Sequence, residues 1–188
     1  MLLRHSFAHI VLVVLFLVLI EFLCHQPMIA QDSTNQSKQF FWASFGVGGG
    51  SLGLAGDFRL SYQNSDHRFS FRTSGTFEFI ILGPSPVEEV TDYALLYGRS
   101  FDDDHITGAI SAGIGIVRSV RRGKFIAHHF LVDEYERNVN TTIGLPIEVS
   151  FIGVIFPVFG VGIEAFGDVN KARTFGGILL TIHFGKLK

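Results

Sequence analysis

From residue 69 the sequence runs Phe69, Phe71, Thr73, Gly75, Phe77, Phe79, Ile81 on every second position, with Ser70, Arg72, Ser74, Thr76 and Glu78 between them. A repeat of two puts one set on one face of an extended chain and the other set on the opposite face. The pattern returns as Ile143, Leu145, Ile147, Val149, Phe151 against Gly144, Pro146, Glu148, Ser150. It recurs as Ile178, Leu180, Ile182, Phe184 against Gly177, Leu179, Thr181, His183, and as Phe41, Ala43, Phe45, Val47 against Trp42, Ser44, Gly46, Gly48. No segment carries the 3.6-residue period of an amphipathic helix. The alternation predicts eight strands, over 40–53, 56–63, 68–81, 93–100, 106–120, 142–156, 159–169 and 173–184. The connections 64–67, 101–105 and the turn at Pro157 are short, whereas 82–92, 121–141 and 168–172 are mostly longer. Short and long connections that alternate place the turns of one kind at one end, as in an up-and-down barrel, which leaves no edge strand open. The longest connection, 121–141, contains the apolar stretch 125–132 and is expected to continue the strands as a hairpin above the barrel.

Composition decides which face is outside. A face in water carries Lys and Glu at roughly a quarter or more of its positions. Here charged residues make up 17% of the chain and hydrophobic ones 47%. The polar phase is Gly, Ser and Thr with isolated charges, namely Arg59, Arg72, Glu78, Glu148 and Glu164. Such a face suits the narrow interior of an eight-stranded barrel, and the Phe, Ile, Leu and Val of the other phase suit lipid. The expected fold is therefore all-β, an eight-stranded antiparallel up-and-down transmembrane β-barrel. In lipid the backbone must satisfy itself inside a closed barrel. The 21 glycines and 20 phenylalanines then have one cause. Gly46, Gly48, Gly113, Gly115 and Gly162 make room inside, while Phe41, Phe58, Tyr62, Phe69, Tyr93, Tyr97 and Phe184 lie near strand ends as candidates for interfacial girdles.

The N-terminus reads as an export signal. Arg4 precedes an apolar run at 10–20, shorter than a membrane-spanning helix, and small and polar residues follow to Ala30. Residues 1–30 are expected to be cleaved, 31–39 to form a polar lead-in and 40–188 to form the barrel. The single cysteine, Cys24, leaves with the signal, so neither disulfides nor thiol chemistry are expected in the mature chain. The balance of 15 Lys and Arg against 17 Asp and Glu gives no footprint for nucleic acid.

The strand pattern over residues 40–184, the segment Tyr93-Ala-Leu-Leu-Tyr-Gly-Arg99, the segment Thr142-Ile-Gly-Leu-Pro-Ile-Glu148 and the amphipathic last strand together resemble the small eight-stranded outer-membrane barrels of Gram-negative bacteria, of the OmpX/OmpA type. The resemblance implies an outer-membrane location, no catalytic signature and a function carried by external loops, in envelope integrity or surface interaction. Members commonly end on an aromatic residue, whereas this chain continues past Phe184 with Gly-Lys-Leu-Lys. Outer-membrane lipids and a surface ligand met through loop 121–141 are the expected partners, with the protein a monomer.

Candidate sites are few. The interior charges Arg59, Arg72, Glu78, Glu148 and Glu164 must pair, because an isolated buried charge costs several kcal/mol. Arg72 and Glu78 are too far apart on one strand, so Arg72 is expected to pair across strands. Arg118, Arg121, Arg122 and Lys124 cluster where the fifth strand leaves the membrane, as either lipid head-group contacts or a solvated rim. His128 and His129 point to opposite faces of a strand and make a poor chelating pair. Asp102-Asp103-Asp104-His105 lacks the Gly and distal Glu of a calcium loop, so no metal and no cofactor is expected. Two other readings stand beside the membrane barrel. One is a secreted lipocalin-like barrel holding an apolar ligand. The other is a lipid-modifying enzyme built on Ser150, His183 and Glu164, which share the inner phase.

Overall fold

In the computed structural model the described residues are 39–80, 83–103, 106–129 and 132–187, with the backbone alone at 129 and 132. The predicted signal segment and lead-in lie outside the described residues, apart from Gln39, which opens the first strand. Eight strands follow in chain order: β1 Gln39–Gly50, β2 Gly53–Asn64, β3 His67–Phe77, β4 Glu89–Asp102, β5 Ile106–His129, β6 Val132–Phe156, β7 Phe159–Asn170 and β8 Phe175–Lys186. Each pairs antiparallel with the next and β8 closes onto β1. Followed along paired residues from Phe41 through Tyr62, Phe69, Tyr97, Ala112, Ile147, Gly167 and Gly176, the register returns to β1 at Ser51, ten residues further on. Ser51 closes this step by donating to the Gly176 carbonyl at 2.9 Å. A stagger of that kind goes with strands inclined by roughly 35–45° to the barrel axis.

The phase assignment holds. Arg59 and Arg72 are 0% exposed, whereas Leu180 is 68%, Ile143 66% and Leu95 65% exposed on the outside. Phe41, Tyr62, Phe69 and Tyr97 are direct cross-strand neighbours and form one aromatic row near the short-turn end. The rings of Phe69 and Tyr97 lie 5.2 Å apart, as do those of Phe159 and Phe184 next to the closure.

Strand bounds depart from expectation, and the turn between the first two strands falls at 51–52 instead of 54–55. β3 stops at Phe77, not at 81, where its pairing with β2 ends at Leu54; Gly53, the next residue of β2, lies in the turn and pairs with Gly50. Gly53 sits at φ +136°, in the tight turn that ends β1, and that turn needs glycine. β4 begins at Glu89, not at 93, and so takes in Asp92, whereas β7 runs to Asn170, one residue past the expected strand that already holds Asp168. The 121–141 segment does form a hairpin, making β5 and β6 24 and 25 residues long. Their pairing slips between Arg122 and Phe125 and again before Ala127. A bulge of this sort bends and twists a ribbon that has left its neighbours behind.

The inner phase is not polar throughout. At the loop end Val90, Val117, Leu179, Phe166 and Phe175 pack with Ala55 and Leu52. At the turn end Trp42, Ile152 and Leu187 pack with Phe40 and Val154. Residues past Phe184 thus close the barrel: Leu187 turns inward, its N–H bonded to the Pro157 carbonyl at 2.8 Å. The polar groups lie between these two apolar layers.

Candidate functional site: an ion network inside the barrel and a clamp at its mouth

Arg59 on β2 and Arg72 on β3 are paired in register, which sets two like charges directly opposite each other. That arrangement is destabilising unless an anion intervenes. Glu148 supplies it from β6. Its carboxylate stands 2.9 Å from Arg59 Nη1 and accepts from Arg72 Nη1 at 3.3 Å; a third guanidinium, that of Arg68, stands 4.0 Å away. Arg59 Nη2 also donates to Asp57 Oδ2 at 2.8 Å and to Glu164. Arg72 Nη2 donates to Asp92 Oδ2 at 2.7 Å, and the other oxygen of Asp92 accepts from Ser74 N and Ser74 Oγ. Arg68 donates to Ser150 Oγ at 2.8 Å and stacks over the Trp42 ring at 5.0 Å. Arg72 thus pairs with Asp92 and Glu148 on other strands, and Arg59 with Glu148 and Glu164.

Glu78 is a correction. It lies beyond the end of β3, outside the interior network, where its carboxylate takes a two-pronged contact from Arg122 at 2.6 and 2.7 Å. The β2–β3 pairing ends at Leu54 and Phe77, so Glu78 keeps its alternation but stands above the wall at the mouth, out of reach of the interior arginines. Its place is taken by residues that the sequence reading passed over: Arg68, Asp57, Asp92 and Asp168, each buried. Arg68 and Asp57 were legible, being two residues from Ser70 and Arg59 on the same phase. Asp92 is hidden in the expected connection 82–92, and Asp168 lies where the expected strand 159–169 overlaps the connection 168–172. The interior therefore holds three arginines against Asp57, Asp92, Glu148, Glu164 and Asp168, and the extra carboxylates take hydrogen bonds from Ser74 and Asn170.

The mouth is tied by a second set of pairs. Arg122 bonds Glu78 through its side chain and Glu88 through its backbone N–H at 3.2 Å. Glu88 in turn receives Arg173 Nη1 at 2.6 Å, from the β7–β8 turn. Ser85 joins the same assembly by exchanging backbone bonds with the hairpin, donating to Asp133 O and accepting from Tyr135 N, each at 2.8 Å. The Arg122 guanidinium holds the Glu78 carboxyl below the usual carboxylate range. Partial burial pushes Glu88 up, but its bonds from Arg173 and Arg122 outweigh this and leave it lowered. Of the four cations expected at a head-group rim, Arg122 is thus committed to the clamp and Arg121 donates to the Ala172 carbonyl. Arg118 and Lys124 stay exposed.

The polar trio Ser150, His183 and Glu164 does not assemble into a relay. Ser150 is held by Arg68, His183 Nε2 lies 2.8 Å from Thr181 Oγ1, and Glu164 is bonded to Arg59. His128 pairs with Asp133 across the hairpin, while the His129 side chain and residues 104–105 lie outside the described residues. Among the described residues no group of three or more His, Cys, Asp or Glu is placed to hold a metal.

Comparison with known protein families and with curated proteins found no match. Solved structures do match. Neisserial surface protein A superposes with a TM-score of 0.57 at 13% identity, over 80% of this chain and 99% of that one. The N-terminal β-barrel domain of Pseudomonas aeruginosa OprF gives 0.56 at 11% identity, over 80% and 99%. The fold is that of a small outer-membrane β-barrel. In such a barrel the apolar exterior faces lipid. A lipocalin-like interior is the opposite case, since it needs an apolar cavity where this barrel places arginines and carboxylates.

Proposed function

We propose that the protein is an integral outer-membrane barrel, closed to solutes and without catalytic activity, that acts in envelope integrity or surface interaction through its loop end. The inversion of polarity carries this reading: a belt of Phe, Ile, Leu and Val outside, and fully buried, paired charges within. Longer loops mark the outward end of such barrels and short turns the periplasmic end. By that rule the β5–β6 hairpin and the clamp face the exterior, and the 64–67 and 102–106 turns face the periplasm. The hairpin, stiffened by the β3–β4 and β7–β8 connections, is the surface offered to a partner. Fractionation of cells, with boiled and unboiled samples of the detergent extract run side by side, tests the reading. Recovery in the outer membrane with heat-modifiable mobility supports it; a soluble periplasmic monomer would sink it.

A further inference from the structure

The outward face is hollow in two places: a larger groove of about 850 Å³ around Val161, Ile163 and Leu180 has no charged lining residue, whereas a smaller one over β2, β3 and β4 is bordered by Glu89. A groove of about 470 Å³ opens there, floored by Gly56, Thr73, Gly75 and Thr91 and walled by residues that include Phe45 and Phe77. In register, Gly56 faces Gly75, Gly75 faces Thr91, and Thr91 faces Arg118 on β5. The barrel itself does not demand glycine at position 56: a Cβ there would meet only the Gly46 carbonyl, at an ordinary 3.5 Å. At Gly75 a Cβ would press the Val90 carbonyl at 2.8 Å, so that glycine has a cause within the wall.

In a bilayer such a trough cannot stand empty or fill with water, and a flexible hydrocarbon chain is what the surroundings supply. Its loop-side rim is charged. Glu89 lies there and is met by Arg137 at 3.7 Å, whereas Arg118 is exposed and has no ion-pair partner among the described residues. Arg118 projects beside Thr91, with Cβ atoms expected roughly 4.5–5.5 Å apart as for any direct cross-strand pair. It stands between the apolar belt, at Ile116 and Ile114, and the polar hairpin. That is the depth of lipid phosphates, and an uncompensated cation there attracts them.

We propose that this groove is a lipid site, seating one acyl chain over Gly56 and Gly75 and one phosphate at Arg118, and that its occupant is the phosphorylated glycolipid of the outer leaflet, lipid A. The proposal rests on the membrane-barrel reading with the loop end outward. It leaves Arg121 and Arg122 to the clamp and assigns the head-group role to Arg118.

Native mass spectrometry of the full chain in detergent micelles tests it, with diphosphoryl lipid A, dephosphorylated lipid A and phosphatidylglycerol as probes. Mobility on an unboiled gel establishes separately that each variant is a folded barrel. Diphosphoryl lipid A should bind most tightly, and Arg118→Gln should weaken it by roughly fivefold, toward the dephosphorylated form. Gly56→Leu, which fills the groove, should weaken both glycolipids, and Lys171→Gln on the β7–β8 turn should change neither. Unaltered binding by Arg118→Gln or by Gly56→Leu would overturn the site. Equal binding of phosphatidylglycerol by the unaltered chain would overturn the choice of lipid, and needs no variant to fold. A chain that never acquires barrel mobility would refute the membrane reading itself.

Discussion

Glu148 stands among three guanidinium groups, and two of them, on Arg59 and Arg72, are cross-strand neighbours that share its carboxylate between them. Replacing it with Gln should therefore cost about 3–5 kcal/mol, the scale on which a buried charge left without its partner destabilises a fold. Arg72→Met leaves Asp92 without its cation, while Glu148 keeps Arg59, and should cost a similar amount. Removing Arg72 and Asp92 at once, with apolar residues of similar volume, should cost less than the two single losses added. Urea unfolding of the barrel refolded into micelles measures the cycle, and strict additivity would mean that the pair does not interact. Glycines divide in the same way. A Cβ at Gly113 would collide with the Leu95 carbonyl of the adjacent strand, so Gly113→Ala should destabilise by roughly 1–3 kcal/mol. At Gly49 a Cβ meets nothing within 4 Å, and Gly49→Ala should be neutral by the same measurement.

At the level of elements, β5 and β6 outrun their neighbours and would be a lone ribbon above the barrel. Two-stranded ribbons are marginal on their own. The clamp of Glu78, Arg122, Glu88 and Arg173 supplies the missing lateral support from two other connections. Its pH dependence has a definite sign. Glu78 and Glu88 both titrate below the ordinary value of 4.5 when clamped, so the clamp is fully stabilised above that value. As pH falls through their lowered pKa values they take up protons, and that contribution is lost. NMR amide shifts at Glu88 and Arg122, followed from about pH 6 to about pH 3, should report release of the clamp before the barrel itself unfolds. Shifts unchanged over that interval would show that ionisation does not hold it. Arg122→Gln should loosen the same connection at neutral pH, read as faster protease cleavage in the β3–β4 segment with barrel mobility on gels unchanged.

For the molecule as a whole, the paired charges in the middle are closed off by apolar layers at both ends. Val90, Val117 and Leu179 lie toward the loops, and Trp42, Ile152 and Leu187 toward the turns. An eight-stranded barrel has an interior just wide enough for side chains to fill. Purified protein in planar bilayers should therefore give no stable, large single-channel current, and such a current would contradict the packing. Deleting the hairpin between Arg122 and Arg137 should leave membrane insertion intact, because the wall below it closes through β4–β5 and β6–β7 pairs that it does not supply.

Strand count, closure, the lipid-facing phase and the inward direction of Arg59, Arg72, Glu148 and Glu164 were all legible in the sequence. Each depends on a period of two and on which residue types share a face, and both are local properties of the chain. What required the tertiary structure was where each strand ends and who meets whom across the lumen. Glu78 keeps the alternation of its strand yet lies outside the wall, because β2 pairs with β3 no further than Leu54–Phe77. Asp92 looks like a loop residue until the register of β4 carries it inside, and Asp168 sits at the expected strand's margin until β7 runs past it. Glu148 becomes the centre of the network only because closure brings β6 within reach of β2 and β3. Alternation is written along one strand, whereas strand ends and cross-lumen partners are set by the stagger and closure of all eight.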